Sequence, residues 1–210
     1  MKRFLVITTL ILIFFSVQNS AQFGLKIGPR VGLNLNIASG DLVQDSYTGL
    51  GMVLGSQFDI SFTPMIGILT NVTFYDNKAH SNSITNNNAT NEEDVSLAYF
   101  MIEPLFKLAI PYSGFYFFAG PGIGFNIEAT SKQTQTVGNN PPQVTNSTLR
   151  NLATRFALKI GSGFDIPAGS LVVITPEFSF AYGLTDVFSS GASWKVLSIN
   201  LSTVVKFRVL

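Results

Sequence analysis

Residues 25–37 read LKIGPRVGLNLNI, and apolar side chains alternate strictly with polar or small ones along this stretch. Every odd position holds Leu, Ile, Pro or Val, and every even position holds Lys, Arg, Gly or Asn. A period of two is that of a β-strand, because successive side chains of a strand point to opposite faces. The stretch therefore predicts a strand with one apolar and one polar face, in which Pro29 marks a bulge or a weakly paired position.

Seven later segments carry the same alternation. They cover about residues 49–62, 66–75, 95–108, 115–128, 150–166, 171–185 and 195–209. Short connections at 63–64, 110–114 and 167–170 alternate with longer polar segments at 38–48, 76–94, 129–149 and 186–194. An even number of strands joined alternately by short periplasmic turns and long external loops is typical of outer-membrane β-barrels. The pattern predicts such a barrel, with both termini on the periplasmic side and the four longer segments as external loops.

The composition agrees with a membrane location. Charged residues make up 12% of the 210-residue chain and hydrophobic ones 46%, whereas about a quarter of a soluble domain is charged. The formal net charge of +1 gives no reason to expect a nucleic-acid partner. The chain has no cysteine, so stability has to come from strand pairing and packing rather than from disulfides.

The first residues have the layout of a secretory signal peptide. Lys2 and Arg3 precede an apolar run at 4–15, and small or polar residues follow at 16–21. A membrane-spanning helix is the alternative, but the run has about 12 of the roughly 20 residues that a span requires. We therefore expect residues 1–21 to be a signal peptide cleaved after Ala21, and residues 22–210 to form one outer-membrane β-barrel domain.

A soluble eight-stranded barrel would alternate in the same way, with its apolar face inside. Two features favour the opposite orientation. The polar face is rich in glycine, which suits a narrow lumen. Large aromatic residues of the apolar face gather near both strand ends, as in the two aromatic girdles of membrane barrels. The expected fold is therefore all-β, an eight-stranded antiparallel up-and-down transmembrane β-barrel in the outer membrane of a Gram-negative bacterium.

Five short motifs, in this order, carry a family resemblance. They are FGLKIG at 23–28, VGLN at 31–34, IEPLFK at 102–107, AGPG at 119–122 and YGLTD at 182–186. The chain resembles the PorT-like outer-membrane β-barrel proteins common in Bacteroidota, and the resemblance spans the whole mature chain. It implies an outer-membrane barrel, usually of unassigned role; a few members are linked to protein secretion. One departure is the C-terminus, which ends KFRVL, whereas many outer-membrane barrels end on an aromatic residue.

The polar face of the predicted strands carries twelve charged residues. An eight-stranded barrel is only wide enough inside for side chains, so we expect these charges to pair with one another and fill the lumen. A charge-lined selective pore is the alternative interpretation. The twelve residues are Lys26, Arg30, Asp59, Glu103, Lys107, Glu128, Arg155, Lys159, Asp165, Glu177, Lys206 and Arg208.

His80, the single histidine, is the one residue that suggests catalysis. It stands beside Ser81 and near Ser83, so a histidine–serine pair in a lipid-modifying enzyme is a possible interpretation. The simpler interpretation is a polar residue of an Asn-rich external loop. We favour the latter and expect no enzyme activity, no cofactor and no metal.

Three functions remain open on the sequence alone. The favoured one is a structural or interaction barrel, embedded in outer-membrane lipids, that contacts a protein partner through external loops or periplasmic turns. The second is a narrow porin-like channel for small solutes, and the third is the lipid-modifying enzyme.

Overall fold

The computed structural model describes residues 23–40, 47–86, 89–138, 140–189 and 193–209. The predicted signal peptide, residues 1–21, lies outside the described residues. Within the described part of the chain, no helix is long and apolar enough to cross a membrane.

The described residues form ten antiparallel β-strands, eight of which make a closed ring. Around the ring the order is β1, β2, β3, β4, β5, β7, β9, β10, and β10 pairs back with β1. The short β6 pairs with β5, and the two-residue β8 pairs with β9. The predicted eight-stranded up-and-down barrel is confirmed. The strands are β1 (Gly24–Ser39), β2 (Thr48–Ser61), β3 (Ile66–Asn86), β4 (Ala89–Ala109), β5 (Phe115–Val137), β6 (Gln143–Thr148), β7 (Arg155–Phe164), β8 (Ile166–Pro167), β9 (Val172–Gly183) and β10 (Lys195–Arg208).

Closure of the ring is made by β1 and β10, which pair from Lys26 opposite Arg208 to Ser39 opposite Lys195. The ladder is interrupted between Ile27 and Arg30 without a change of register, so Pro29 occupies a weakly paired position and not a bulge. A closed ring leaves no sheet edge inside the bilayer, where an unpaired peptide group has no water to bind.

The two faces have the predicted orientation, with the polar face inside. Leu33 is 64% exposed on the outside, whereas its neighbour Asn34 is 1% exposed within the barrel. Glycine on the inner face makes room for large inward rings. A Cβ on Gly163 would lie 2.4 Å from the Tyr116 ring, and a Cβ on Gly161 would lie 2.5 Å from the Phe118 ring.

Two of the four predicted external loops are largely strand. β3 continues to Asn86 and β4 begins at Ala89, so residues 76–86 and 89–94 belong to two paired strands. β5 continues to Val137, and β6 occupies much of the remainder of 129–149. Towards their tips, beyond the level of His80 and Val95, these extensions have mostly polar side chains on both faces because both faces lie in water there, and so they lack the alternation of hydrophobicity that reveals the other strands. We call residues 76–86, 89–97, 129–137 and β6 together the projecting sheet.

One further boundary differs clearly from the prediction. The strand expected from residue 150 begins at Arg155, because Leu152 makes only an isolated bridge with Phe188. For the predicted loops 38–48 and 186–194, residues 41–46 and 190–192 lie outside the described residues.

The projecting sheet leaves the barrel at two β-bulges. β3 has one extra residue relative to β4 between Thr73 and Asp76, and β5 has one extra residue opposite the step from Ala98 to Tyr99. An extra residue reverses which parity faces inward. On the outer surface the exposed apolar side chains end near here, at Phe74 on β3 and Ile127 on β5. Residues beyond these points lie outside the membrane-spanning band.

Candidate functional site

The third of the lumen nearest the short turns and the chain termini, which we call the inner end, is built around Asp59. Its carboxylate accepts two hydrogen bonds from Lys107, at 2.7 and 2.9 Å, and one from Lys206 at 3.1 Å, with Lys26 at 3.8 Å. Asp165 shares two of these lysines, at 2.7 Å from Lys26 and 3.3 Å from Lys206. Strands β1, β2, β4 and β10 each supply one charge, so this cluster ties four strands of the ring together across its interior.

A second group of buried pairs lies next to this cluster. Glu177 accepts hydrogen bonds from the Tyr116 hydroxyl at 2.6 Å and from the Gln57 amide at 2.8 Å. Its other oxygen lies 3.6 Å from Nε of Arg30, whose Nη2 donates to Ser202 at 3.0 Å. A hydroxyl, an amide and a guanidinium therefore surround one carboxylate.

Glu103 and Lys159 form a third ion pair, at 2.6 Å. Asn71 donates to the same carboxylate oxygen of Glu103 at 3.0 Å and accepts a hydrogen bond from Gln57 at 2.9 Å. The Gln57 amide links this pair to the Glu177 group, so polar contacts are continuous through the middle of the barrel.

Towards the outside, Asp76 accepts hydrogen bonds from Lys78 and from Asn34, both at 2.8 Å. Arg155 is 3% exposed and donates to the carbonyl of Val196 at 3.0 Å. No described carboxylate lies within ion-pair distance of Arg155, so its charge is balanced only at longer range.

An apolar cluster, which we call the lid, covers the outer end of the lumen. Trp194 is at its centre, 5.9 Å from the Tyr47 ring, 5.6 Å from the Phe188 ring and 6.1 Å from the His80 ring. Buried side chains of several strands pack beneath it. They are Ala38, Val95, Leu97, Tyr99, Met101, Ala129, Val187 and Val196.

Of the twelve predicted lumen residues, the structure places ten inside the barrel. Eight of these are buried, and Lys26 and Asp165 are partly exposed at the inner end. They are Lys26, Arg30, Asp59, Glu103, Lys107, Arg155, Lys159, Asp165, Glu177 and Lys206.

Glu128 and Arg208 lie elsewhere. Glu128 is exposed on the outer surface because the bulge in β5 turns it away from the lumen. Arg208, the last residue of β10, is exposed at the inner rim and donates to the carbonyl of Ser170 at 2.9 Å. Sequence reasoning also missed Asp76 and Lys78, because it assigned them to a loop.

The geometry rules out a histidine–serine pair. His80 points inward and is 1% exposed, and neither ring nitrogen has a hydrogen-bond partner among the described residues. The Ser81 hydroxyl lies on the opposite face of β3 and donates to Asp94 at 2.7 Å. Burial, together with the nearby charges of Lys78 and Arg155, lowers the pKa of His80 to about 4. At neutral pH this histidine is an uncharged part of the lid.

The projecting sheet has an open edge at β6. Among the described residues, β6 pairs only with β5, and all six of its side chains are exposed. The amide of Leu149 donates to the carbonyl of Ala129, and this bond shows which residue pairs of the β5–β6 ladder are hydrogen-bonded. Because hydrogen-bonded pairs alternate in an antiparallel ladder, the peptide groups of Val144, Asn146 and Thr148 face away from β5.

The described residues contain no group of three or more His, Asp or Glu side chains that is placed to hold a metal.

Comparison with known proteins gives one family and several structures of similar fold. The sequence profile described as "Outer membrane protein beta-barrel domain" matches residues 15–189. A search of curated protein sequences gave no match. Among solved structures, Ail of Yersinia pestis in complex with the heparin analogue sucrose octasulfate is 13% identical, with a TM-score of 0.43, over 88% of this chain and 99% of that one.

Two other solved structures are comparably similar. Neisserial surface protein A is 10% identical, with a TM-score of 0.42, over 87% of this chain and 97% of that one. OprG of Pseudomonas aeruginosa is 12% identical, with a TM-score of 0.40, over 91% and 97%. The profile match covers most of the chain, and the chain belongs to the outer membrane protein β-barrel domain family.

Proposed function

We propose that this chain is a non-conducting recognition barrel of the bacterial outer membrane. The eight strands anchor it in the lipid, and the projecting sheet is the surface that contacts a partner outside the cell. The filled and covered lumen is the observation that carries the proposal.

The charges of the lumen support a closed state. Its described walls carry seven basic and five acidic side chains, and each of the five carboxylates has a basic nitrogen within 4 Å. Removing one partner of a buried ion pair typically costs about 3–5 kcal/mol. A solute that displaced these side chains would have to overcome several such costs and then pass the lid.

The projecting sheet supports the recognition role. Above the lid it carries mostly polar side chains on both faces, so lipid does not cover it, and its open edge at β6 leaves peptide groups unpaired. The predicted contact through external loops therefore becomes a contact through strands. A strand is a more rigid platform than a loop, because its backbone is held by the ladder.

Bilayer recording tests the closed lumen. Purified, refolded protein in a planar lipid bilayer is expected to give no stepwise currents. The variant Trp194→Ala, which removes the centre of the lid, serves as a comparison that is more permissive to ions. Resolved single-channel steps from the unmodified chain would instead support the narrow channel.

Cell-surface proteolysis tests the display of the sheet. Proteinase added to intact cells is expected to cut within residues 81–94 and to leave a protected barrel fragment. Protection of these residues in intact cells, with cutting only after lysis, would place the sheet on the periplasmic side and overturn the proposal.

We also infer that the chain is a PorT-like member of its family, exported by the signal peptide at residues 1–21. The motifs at 102–107 and 119–122 support this, since both fall on ring strands, β4 and β5. N-terminal sequencing of protein from the outer-membrane fraction tests the export signal. A first residue other than Gln22 would correct the cleavage point, and an uncleaved chain would overturn the signal peptide.

A further inference from the structure

The inner face of the projecting sheet, which looks over the lid, is an amide-rich cleft of about 370 Å³. Two cross-strand rows form it, and each row spans all four strands of the sheet. Directly opposed residues of a ladder lie on the same face, so each row is a line of neighbouring side chains. The rows are Ile84, Asn91, Gln135 and Gln143, and next to it Asn82, Glu93, Gln133 and Thr145.

Five of these eight side chains are primary amides, and most of them are unengaged. The amides of Asn82, Asn91, Gln135 and Gln143 make no side-chain hydrogen bond with another described residue. Each amide offers one oxygen acceptor and two N–H donors. Adjacent strands are about 4.8 Å apart, so donors and acceptors recur at that spacing across the cleft.

Glu93 and Tyr47 form the floor of the cleft. The Tyr47 hydroxyl donates to Glu93 at 3.1 Å, and the Ser131 hydroxyl donates to the other oxygen of the same carboxylate at 3.0 Å. These bonds fix the carboxylate as an acceptor below the amides. The Tyr47 ring is partly exposed and lines the cleft, where it offers an apolar surface beside the polar groups.

The charge of the cleft limits its ligand. The two rows of the cleft carry one charged side chain, the carboxylate of Glu93, and among the described residues the lining contains no Lys or Arg. Glu92 pairs with Ser83 and Thr134, so its side chain belongs to the opposite face. Lys132 also lies on the opposite face of the sheet. It pairs with Asp94 and Asn146, one position along the strands from the Gln133 row, and neighbouring positions of a strand point to opposite faces. A sulfated or phosphorylated polymer would therefore meet negative charge without a compensating cation.

We propose that this cleft binds an uncharged glycan. Sugar hydroxyls are both donors and acceptors, so they match a field of amides, and the apolar face of a sugar ring fits against Tyr47. The volume lies in the range of small-ligand sites, roughly 300–1,000 Å³. This inference rests on the proposed recognition role and gives it a ligand class.

The test uses the full chain in phosphatidylcholine nanodiscs, because maltoside and glucoside detergents would compete as sugars. The immobilised probes are maltohexaose, cellohexaose, chitohexaose and mannohexaose, with heparin as the sulfated comparison. The test variant is Asn91→Ala with Gln135→Ala, two exposed neighbours of one row. The matched control is Ser83→Ala with Thr136→Ala, on the other face of the same sheet. Heat-modifiable gel migration checks that both variants fold.

We expect at least one neutral hexasaccharide to bind, with a roughly tenfold or greater loss in the Asn91 and Gln135 double variant and little change in the control. Binding of heparin alone, weakening steeply with salt, would overturn the inference. Neutral binding that is equal in both variants would also overturn it, as would no binding at all. Because closure and surface display are measured separately, these results leave the proposed function standing, whereas single-channel steps would overturn that function whatever the probes do.

Discussion

Asp59 is the residue whose replacement should disturb the barrel most. In Asp59→Asn the side chain keeps its shape but loses the charge that Lys107, Lys206 and Lys26 share. The three lysines and two aspartates of the cluster carry one net positive charge, and the substitution raises it to two. Only Asp165 then remains to balance three cations. Breaking a buried pair in this way costs about 3–5 kcal/mol, and we expect the free energy of unfolding to fall by that amount.

Urea titration in lipid vesicles, read by the shift between folded and unfolded bands on unheated gels, measures this loss. Glu128→Gln is the matched control, because it removes one acidic charge from the exposed outer surface. The control should change the unfolding free energy by no more than about 0.5 kcal/mol. Equal stability of the two variants would refute the role of Asp59 as the centre of the inner cluster.

Three more perturbations follow from the lumen and the lid. Gly163→Val should destabilise the barrel by about 1–3 kcal/mol in the same urea titration, because even its Cβ would overlap the Tyr116 ring. Lowering the pH from about 6.5 to 4 should destabilise the lid by roughly 3 kcal/mol, measured by fluorescence of the single tryptophan, because opened chains protonate His80 whereas the closed lid keeps its pKa near 4. In His80→Phe that dependence should vanish. Trp194→Ala should increase access of water-soluble reagents to the upper lumen, measured by the labelling rate of a cysteine placed at Ser198.

Each of these has a result that contradicts it. Gly163→Val as stable as the unmodified chain would mean that Tyr116 does not occupy the lumen at that level. A pH dependence that persists in His80→Phe would assign it to the carboxylates instead. Unchanged labelling at position 198 in Trp194→Ala would show that the lid does not control access.

The ring of strands was predictable because one face of each strand meets lipid. At residues 25–37 that contact forces apolar side chains onto every second position, and the pattern can be read directly. Towards the tip of the projecting sheet both faces meet water, so Ser81 and Asn82 carry no such signal and the segment resembled a loop. Hydrophobic periodicity detects a change of environment between two faces, not the strand itself.

The error at Glu128 has a different cause. Its parity matches the lumen positions of β5, and only the extra residue of the bulge turns it outward. No particular residue type marks a bulge of this kind in the sequence. Faces that are assigned by alternation are therefore wrong beyond it. The lid was missed because Tyr47 comes from one predicted loop, and Phe188 and Trp194 from another that is far away in the sequence. Isolated aromatic residues inside otherwise polar segments were the one signal that could have pointed to it.

The most direct test of the closed, lipid-facing barrel introduces single cysteines along β1. The natural chain has no cysteine, so every reaction reports the introduced position. Cysteines at positions 31, 33 and 35 should not react with water-soluble maleimides. A fluorophore attached to the same cysteines should be quenched by lipid-soluble nitroxides. Cysteines at 34 and 36 should be reached by neither, since their side chains lie within a filled lumen. Labelling of 34 and 36 by water-soluble maleimide from either side would contradict the closed lumen, and lipid contact at the even positions would contradict the barrel's orientation.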